Sequence, residues 1–374
     1  MLNERGFGRC GKRAGGHLAK LPIGRTSVGI SAMTKMTQRQ ETKVRPAQKN
    51  PPLLFKKTQE VLKQVESLLG HRLLTYWNSN NGSICNSDVI GLYGILKSIG
   101  KTKALSVFIK SDGGSGQASL RMVNVLRQFA QRTTMLVPLE CESAATMLAL
   151  GADKILMGPL AHLSAVDTSL THDLSPIDRD NDRVSVSQDE LHRVVSLWQK
   201  ESDRKASNPY GALFQYVHPL VIGAVDRSSA LSTKLCVEIL SYHMRDTKKA
   251  HRISHALNSS YPSHSYPITL REAKRLGLNV EALSEPINRL LLELNELYSE
   301  MGQKASVDFD ERNSHDNSIL NILEGRDLQV LYQVDKDWHY RAEERRWVSL
   351  NDRSAWRKVE LVKGREVVST FHVR

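Results

Sequence analysis

The 374-residue chain has no run of eighteen apolar residues, and its N-terminus has no continuous apolar core of a secretory signal. A membrane span and secretion are therefore not expected. Cysteine is scarce. Cys10, Cys85, Cys141 and Cys236 are widely separated and form no CxxC pair. Neither a disulfide framework nor a metal site follows from such spacing, and a reduced, cytoplasmic setting is the simplest reading. No metal or cofactor is expected. No segment repeats. What the chain does have is an ordinary globular composition, 40% apolar and 25% charged.

The net charge of +12 is concentrated at one end. Residues 1–50 hold eleven Lys or Arg against Glu4 and Glu41, leaving only +3 for the rest. The expected organisation is a disordered basic tail at 1–50 and a main domain at 51–301. A polar linker follows at 302–316, then a small β-rich module at 317–374. That last stretch carries Trp338, Trp347 and Trp356, three of the five tryptophans. A nucleic-acid partner would rest on the tail alone, so none is expected for the main domain.

Through residues 55–170, apolar stretches of strand length alternate with segments of helical period. "RLLTYWNS", "ALSVFIK", "TMLVPLE" and "KILMG" read as strands, and "NSDVIGLYGILKSIG", capped by Asn86 or Ser87, reads as a helix. "QASLRMVNVLRQF" places Leu120, Met122, Val125, Leu126 and Phe129 on one helical face. This alternation predicts an α/β fold with a mostly parallel sheet under helices. Further on, "DELHRVVSLWQKESDRKASN" reads as an amphipathic helix. "PINRLLLELNELYSEM" steps through Ile287, Leu291, Leu294, Tyr298 and Met301, a seam that fits packing within the chain or against a second subunit.

Ligands in such sheets bind where strands give way to helices. Two stretches hold unusual residues there. "SDGGSGQ" carries the adjacent Gly113 and Gly114, and "LECESAATMLAL" carries Ser143. A serine at a helix start stands beside unpaired N–H groups and the positive end of the helix dipole. Glycines can turn a further amide outward. The Ala144 N–H and one from the Gly113-Gly114 pair could therefore bind an oxyanion while Ser143 attacks a carbonyl. The plainer alternative is that Ser143 caps a helix and Gly113-Gly114 makes a turn.

"SDGGSGQASLRMVNVLR", "ECESAATMLALGADKILMGPLAHLSAVDTSL", "STKLCVEILSYHM" and "YPSHSYPITLREAKRLGLNVE" together resemble the serine dehydrogenase proteinase family of Clp-fold serine proteases, within the ClpP/crotonase superfamily. The resemblance runs from about Leu53 to Glu285. It implies a ββα-spiral core, peptidase activity on peptides or proteins, and a homo-oligomer. It also implies Ser143 as nucleophile, Gly114 and Ala144 as oxyanion donors, and Gly113 shaping the turn. The chain departs from related enzymes in two respects. Glu142 precedes the serine where a small residue is usual. The region after the serine offers neither the expected histidine nor a lysine, none occurring between Lys154 and Lys200.

The general base is therefore open, and a serine hydroxyl needs one. His264, stiffened between Pro262 and Pro267, and His172 are the candidates, with Asp167 able to orient a histidine or to cap a turn. His162 reads as a core or strand-edge residue, Asp112 as a turn former, and Cys141 as a buried, inert thiol. The alternatives to a peptidase are a crotonase-like acyl-CoA hydratase or hydrolase without covalent serine, with Glu142 moving protons, and a catalytically inactive scaffold.

Overall fold

The computed structural model describes residues 48–373 except 180–181 and 202–207. The tail expected at 1–50 lies outside the described residues apart from its last three.

The chain opens with α1 (Phe55–Leu69), which ends at Gly70 in the left-handed region, φ 73°, a conformation glycine adopts freely. There follow β1 (Arg72–Asn78), α2 (Asn86–Ile99), β2 (Thr102–Lys110), α3 (Gly116–Phe129) and β3 (Ala130–Val137). Next come β4 (Glu140–Cys141), α4 (Ala144–Leu150), β5 (Lys154–Met157), β6 (His162–Leu163), β7 (Ser169–Leu170) and β8 (Val186–Ser187). A helical stretch contains α5 (Gln188–Glu201), α6 (Pro209–Leu213), α7 (Pro219–Ser241), α8 (Thr247–Ser259) and α9 (Leu270–Leu276). β9 (Val280–Ala282) and α10 (Glu285–Met301) close that part. The remaining strands are β10 (Ala305–Asp308), β11 (Asn313–Gly325), β12 (Leu328–Arg341), β13 (Arg346–Asp352), β14 (Ala355–Val362) and β15 (Arg365–Thr370). No helix among the described residues is long and apolar enough to cross a membrane.

The protein is mixed α/β around one large mixed sheet, ordered β15-β14-β12-β11-β1-β2-β3-β5-β9. The run β1-β2-β3-β5-β9 is parallel, and β11 joins it antiparallel to β1. Residues along β1 alternate between two cores, as a strand buried on both faces requires. Leu74 and Tyr76 pack with side chains of α2, α3, α4, α7 and α8. Leu73 and Trp77 pack with α1 and α10. The α10 seam thus faces its own chain: Leu291, Leu294, Tyr298 and Met301 are fully buried, and Tyr298 stacks on Phe108 with ring centroids 6.4 Å apart.

The local start of α2 differs from the sequence expectation. Cys85 is the N-cap, and the Asp88 carboxylate accepts the Cys85 N–H at 2.6 Å. Ser87 and Asn86 lie within the helix.

The expected linker and C-terminal module also look different in three dimensions. β10 and the start of β11 occupy 302–316, and β11 and β12 extend the main sheet. Leu323, Val330 and Trp356 belong to the core under α2, and Ile319, Ile322, Leu331 and Val359 to the core under α1. Register slips between Ile319 and Asn321, a bulge that re-aims the backbone. The Leu320 carbonyl accepts the Ser79 N–H at 2.8 Å, and Asn321 Nδ2 donates to Ser83 O and to Asp88 Oδ1, at 2.9 and 2.8 Å. The loop from Ser79 to Ile84 is therefore held from the C-terminal strands.

Candidate active site

Past the end of β2 the chain continues as a short extended segment, 111–115, laced on both sides. On one side Ser111 N–H donates to Glu140 O at 3.2 Å and Glu142 N–H donates to Ser111 O at 2.9 Å. On the other side Ile84 N–H donates to Gly113 O and Ser115 N–H to Ile84 O, at 2.8 and 2.9 Å. This parallel pattern uses the carbonyl before Gly114 and the amide after it. The Gly114 N–H therefore points away from Ile84 and has no partner among the described residues.

Both glycines are required. Gly113 has φ 105° and Gly114 φ 141°, where L side chains are strained. A Cβ on Gly113 would lie 2.6 Å from Ser143 Cβ and 3.1 Å from Ala144 N. One on Gly114 would lie 2.5 Å from Ile84 O. The diglycine turn and Ser143 are thus in direct contact.

Ser143 leads from β4 into α4 with φ 51° and ψ −118°, a conformation few non-glycine residues hold. Its side chain does not cap α4 and makes no hydrogen bond among the described residues. Its N–H donates to Ser164 Oγ at 2.7 Å. Thr146 Oγ1 donates to Cys141 O, and Ser119 Oγ to Ala144 O, both at 2.7 Å, which fixes the turn to its neighbours. Ala144 N–H, in the first helical turn, has no partner among the described residues. The result is a half-buried hydroxyl beside two unpaired amides.

His264 and Asp167, 97 residues apart in the chain, meet with Nδ1 and Oδ1 at 2.9 Å, near enough to Glu142 for its charge to act on the ring. Two contacts place the histidine loop. Leu163 and Ile268 exchange backbone hydrogen bonds at 3.0 and 2.8 Å, and Tyr261 stacks on Tyr266 with centroids 4.9 Å apart. The hydrogen bond to Asp167 holds the His264 pKa above its ordinary value against the opposing effect of burial, and the charge of Glu142 adds to the rise. Asp167 on Nδ1 sets the neutral ring as the Nδ1–H tautomer, leaving Nε2 as the basic nitrogen. His264 makes no hydrogen bond to Ser143.

A second pair was not legible in the sequence. β6 lies parallel to β4, with His162 opposite Glu140, and His162 Nε2 is 2.9 Å from Glu142 Oε1. That bond raises the His162 pKa more than burial lowers it. The spacing of 20 residues between Glu142 and His162 acquires meaning only once the two short strands pair. Next to it Lys110, almost fully buried, pairs with Glu140 at 2.9 Å and lies over the Trp77 ring. His172 is used within its own loop, where Nδ1 accepts the Leu174 N–H at 3.1 Å. Burial holds the Cys141 thiol far above its usual range. Among the described residues no group of His, Cys, Asp or Glu could hold a metal ion.

No family model matches the chain. Two uncharacterized proteins of Methanocaldococcus jannaschii are similar to it. One is 26% identical over 211 residues, covering 56% of this chain and 64% of that protein. The other is 23% identical over 204 residues, covering 54% and 60%. The chain therefore spans less than two thirds of the length of these curated relatives. Among solved structures, two mutants of the membrane-bound stomatin-specific protease 1510-N, one bound to a substrate peptide, align with a TM-score of 0.34 and 14% identity. They cover 60% and 62% of this chain and 82% and 81% of theirs.

Proposed function

We propose that this protein is a serine hydrolase of peptide bonds, built on a ClpP/crotonase-type core. The observation that carries the reading is Ser143, held at positive φ with an unbonded hydroxyl against a diglycine turn. In this reading His264 Nε2 takes the Ser143 proton and Asp167 steadies the imidazolium that forms. Ser143 Oγ attacks the peptide carbonyl, and the Gly114 and Ala144 N–H groups receive the oxyanion. His264 then passes the proton to the departing amine. Water, deprotonated by the same ring, releases the acyl group and regenerates the hydroxyl. His264 would have to swing within hydrogen-bond reach of Oγ, as loop-borne bases often do on substrate binding.

A crotonase-like reading uses the same two amides and makes Glu142 the proton carrier. Its carboxylate is instead engaged by His162, which favours the serine mechanism. A homo-oligomer belongs to the same proposal, supported by apolar side chains left exposed on α5 and α7, among them Leu197 and Leu220, and a cytoplasmic setting is carried over from the scattered cysteines.

A fluorophosphonate probe tests the central claim. Labelling of the wild type that disappears in Ser143→Ala, with the fold intact by circular dichroism, is the expected result. A folded wild type that never labels would favour the hydratase or the inactive scaffold.

A further inference from the structure

The helix that starts beside Ser143 ends at a second feature that the catalytic reading leaves unused. Behind Leu150 lies a half-open cavity of about 390 Å³, between the end of α4, the start of α8 and the turn after α9. This size is within the range of small-ligand sites. Leu150, Ile155 and Leu278, all buried, line it together with the exposed Arg245 and the half-buried Lys249.

Two carboxylates also line the cavity; Asp153 is paired with Arg127, while Asp246 keeps its charge beside the two cations. Asp153 Oδ2 accepts from Arg127 and from the Thr133 N–H, at 2.8 and 2.7 Å. Asp246 caps α8, accepting the Lys249 N–H at 3.0 Å. Arg245 and Lys249 have no ion pair among the described residues. His243 donates Nε2–H to Leu150 O at 2.8 Å, and burial lowers its pKa, so the neutral ring closes the wall without adding charge.

Lys249 is also held in place. Gly277 has φ 88°, and a Cβ there would lie 3.0 Å from Lys249 Cε. The missing side chain is a slot for the lysine stem. The stem lies along Gly277, and Lys249 lines the cavity. Two cations against the single unpaired carboxylate of Asp246 leave the lining net positive beside apolar side chains, which matches one ligand chemistry: an anionic head on a short apolar body.

We propose that this cavity binds a small carboxylate carrying a short aliphatic chain. The Arg245 fork and the Lys249 ammonium receive the carboxylate, and the chain lies on Leu150, Ile155 and Leu278. The site is independent of the reaction assigned to Ser143. Isothermal titration of the full-length protein with hexanoate is the test, with neutral hexanamide as the control. The expected result is saturable hexanoate binding with a dissociation constant of about 1 mM or tighter, and loss of about tenfold or more in R245A/K249A. Lys249→Met, which keeps the stem in its slot, weakens hexanoate and leaves circular dichroism unchanged. Any of three results would overturn the proposal: no saturable binding, equal affinity for hexanamide, or wild-type affinity in the double variant.

Discussion

At the scale of single residues, Ser143 holds a backbone conformation that its own Cβ opposes. Strain of this kind amounts to roughly 1–3 kcal/mol. Ser143→Gly should therefore raise stability by about 1 kcal/mol, whereas Ser143→Ala should not; thermal melting of the two variants distinguishes them. Both should lose probe labelling. Gly113→Ala is the converse case. Its Cβ would collide with Ser143 and force φ 105° on an L residue, so a loss of roughly 2–5 kcal/mol is expected, read by chemical denaturation. The histidine makes a separate prediction. A base must be neutral, and Asp167 raises the pKa of His264. The labelling rate should thus climb with pH through a midpoint above the ordinary 6.5 or so. Asp167→Asn should move that midpoint to lower pH and slow the reaction. The same raised pKa means that the His264–Asp167 attraction is whole below the unfolded histidine pKa and is lost as pH rises through the folded one. His162→Ala tests the other pair, and the proposed mechanism expects it to keep labelling where His264→Ala loses it.

At the scale of elements, the C-terminal strands reach into the candidate site. Leu320 O and Asn321 Nδ2 hold the Ser79–Ile84 loop, and Ile84 in turn holds the diglycine segment by two hydrogen bonds. Asn321→Ala removes the donor to Asp88 Oδ1 and leaves the buried carboxylate to Tyr76 and the Cys85 N–H, so about 1–3 kcal/mol should be lost in urea unfolding, together with slower labelling at Ser143. A second buried carboxylate lies between α1 and α10. Thr58, Gln59, Gln329 and Tyr298 all donate to Glu324, yet burial outweighs them and lifts its pKa from 4.5 to about 7. The folded state then holds a proton that the unfolded chain has released. This contribution is whole below pH 4.5 and declines as pH rises toward 7. Glu324→Gln should flatten that slope, as stability curves at several pH values would show. The parallel strands and the two strand-to-helix turns were readable from periodicity and glycine placement, because those signals are local. Ser143, Gly113, Gly114 and Ala144 do meet in space, and so do His264 and Asp167. The pairing of β11 with β1 was not readable. It joins segments some 240 residues apart, and an antiparallel strand carries no mark of its partner. The Glu142–His162 contact escaped for the same reason, being created by two strands of two residues each.

At the scale of the whole molecule, one sheet runs from β15 to β9, and both of its cores draw on residues from before 130 and after 318. A protein organised this way should melt as a unit. Far-ultraviolet circular dichroism and tryptophan fluorescence, dominated at the C-terminal end by Trp338, Trp347 and Trp356, should give coincident unfolding curves. Two separated transitions would instead mean that 317–374 folds on its own. The bulge at Leu320 also sets an order of events in time. The ribosome releases the serine, its neighbouring amides and the histidine long before it releases residue 320. Until then the loop behind the diglycine segment lacks its Leu320 and Asn321 bonds, so a nascent chain would carry an unarmed hydroxyl while the residues from 144 to 320 are made.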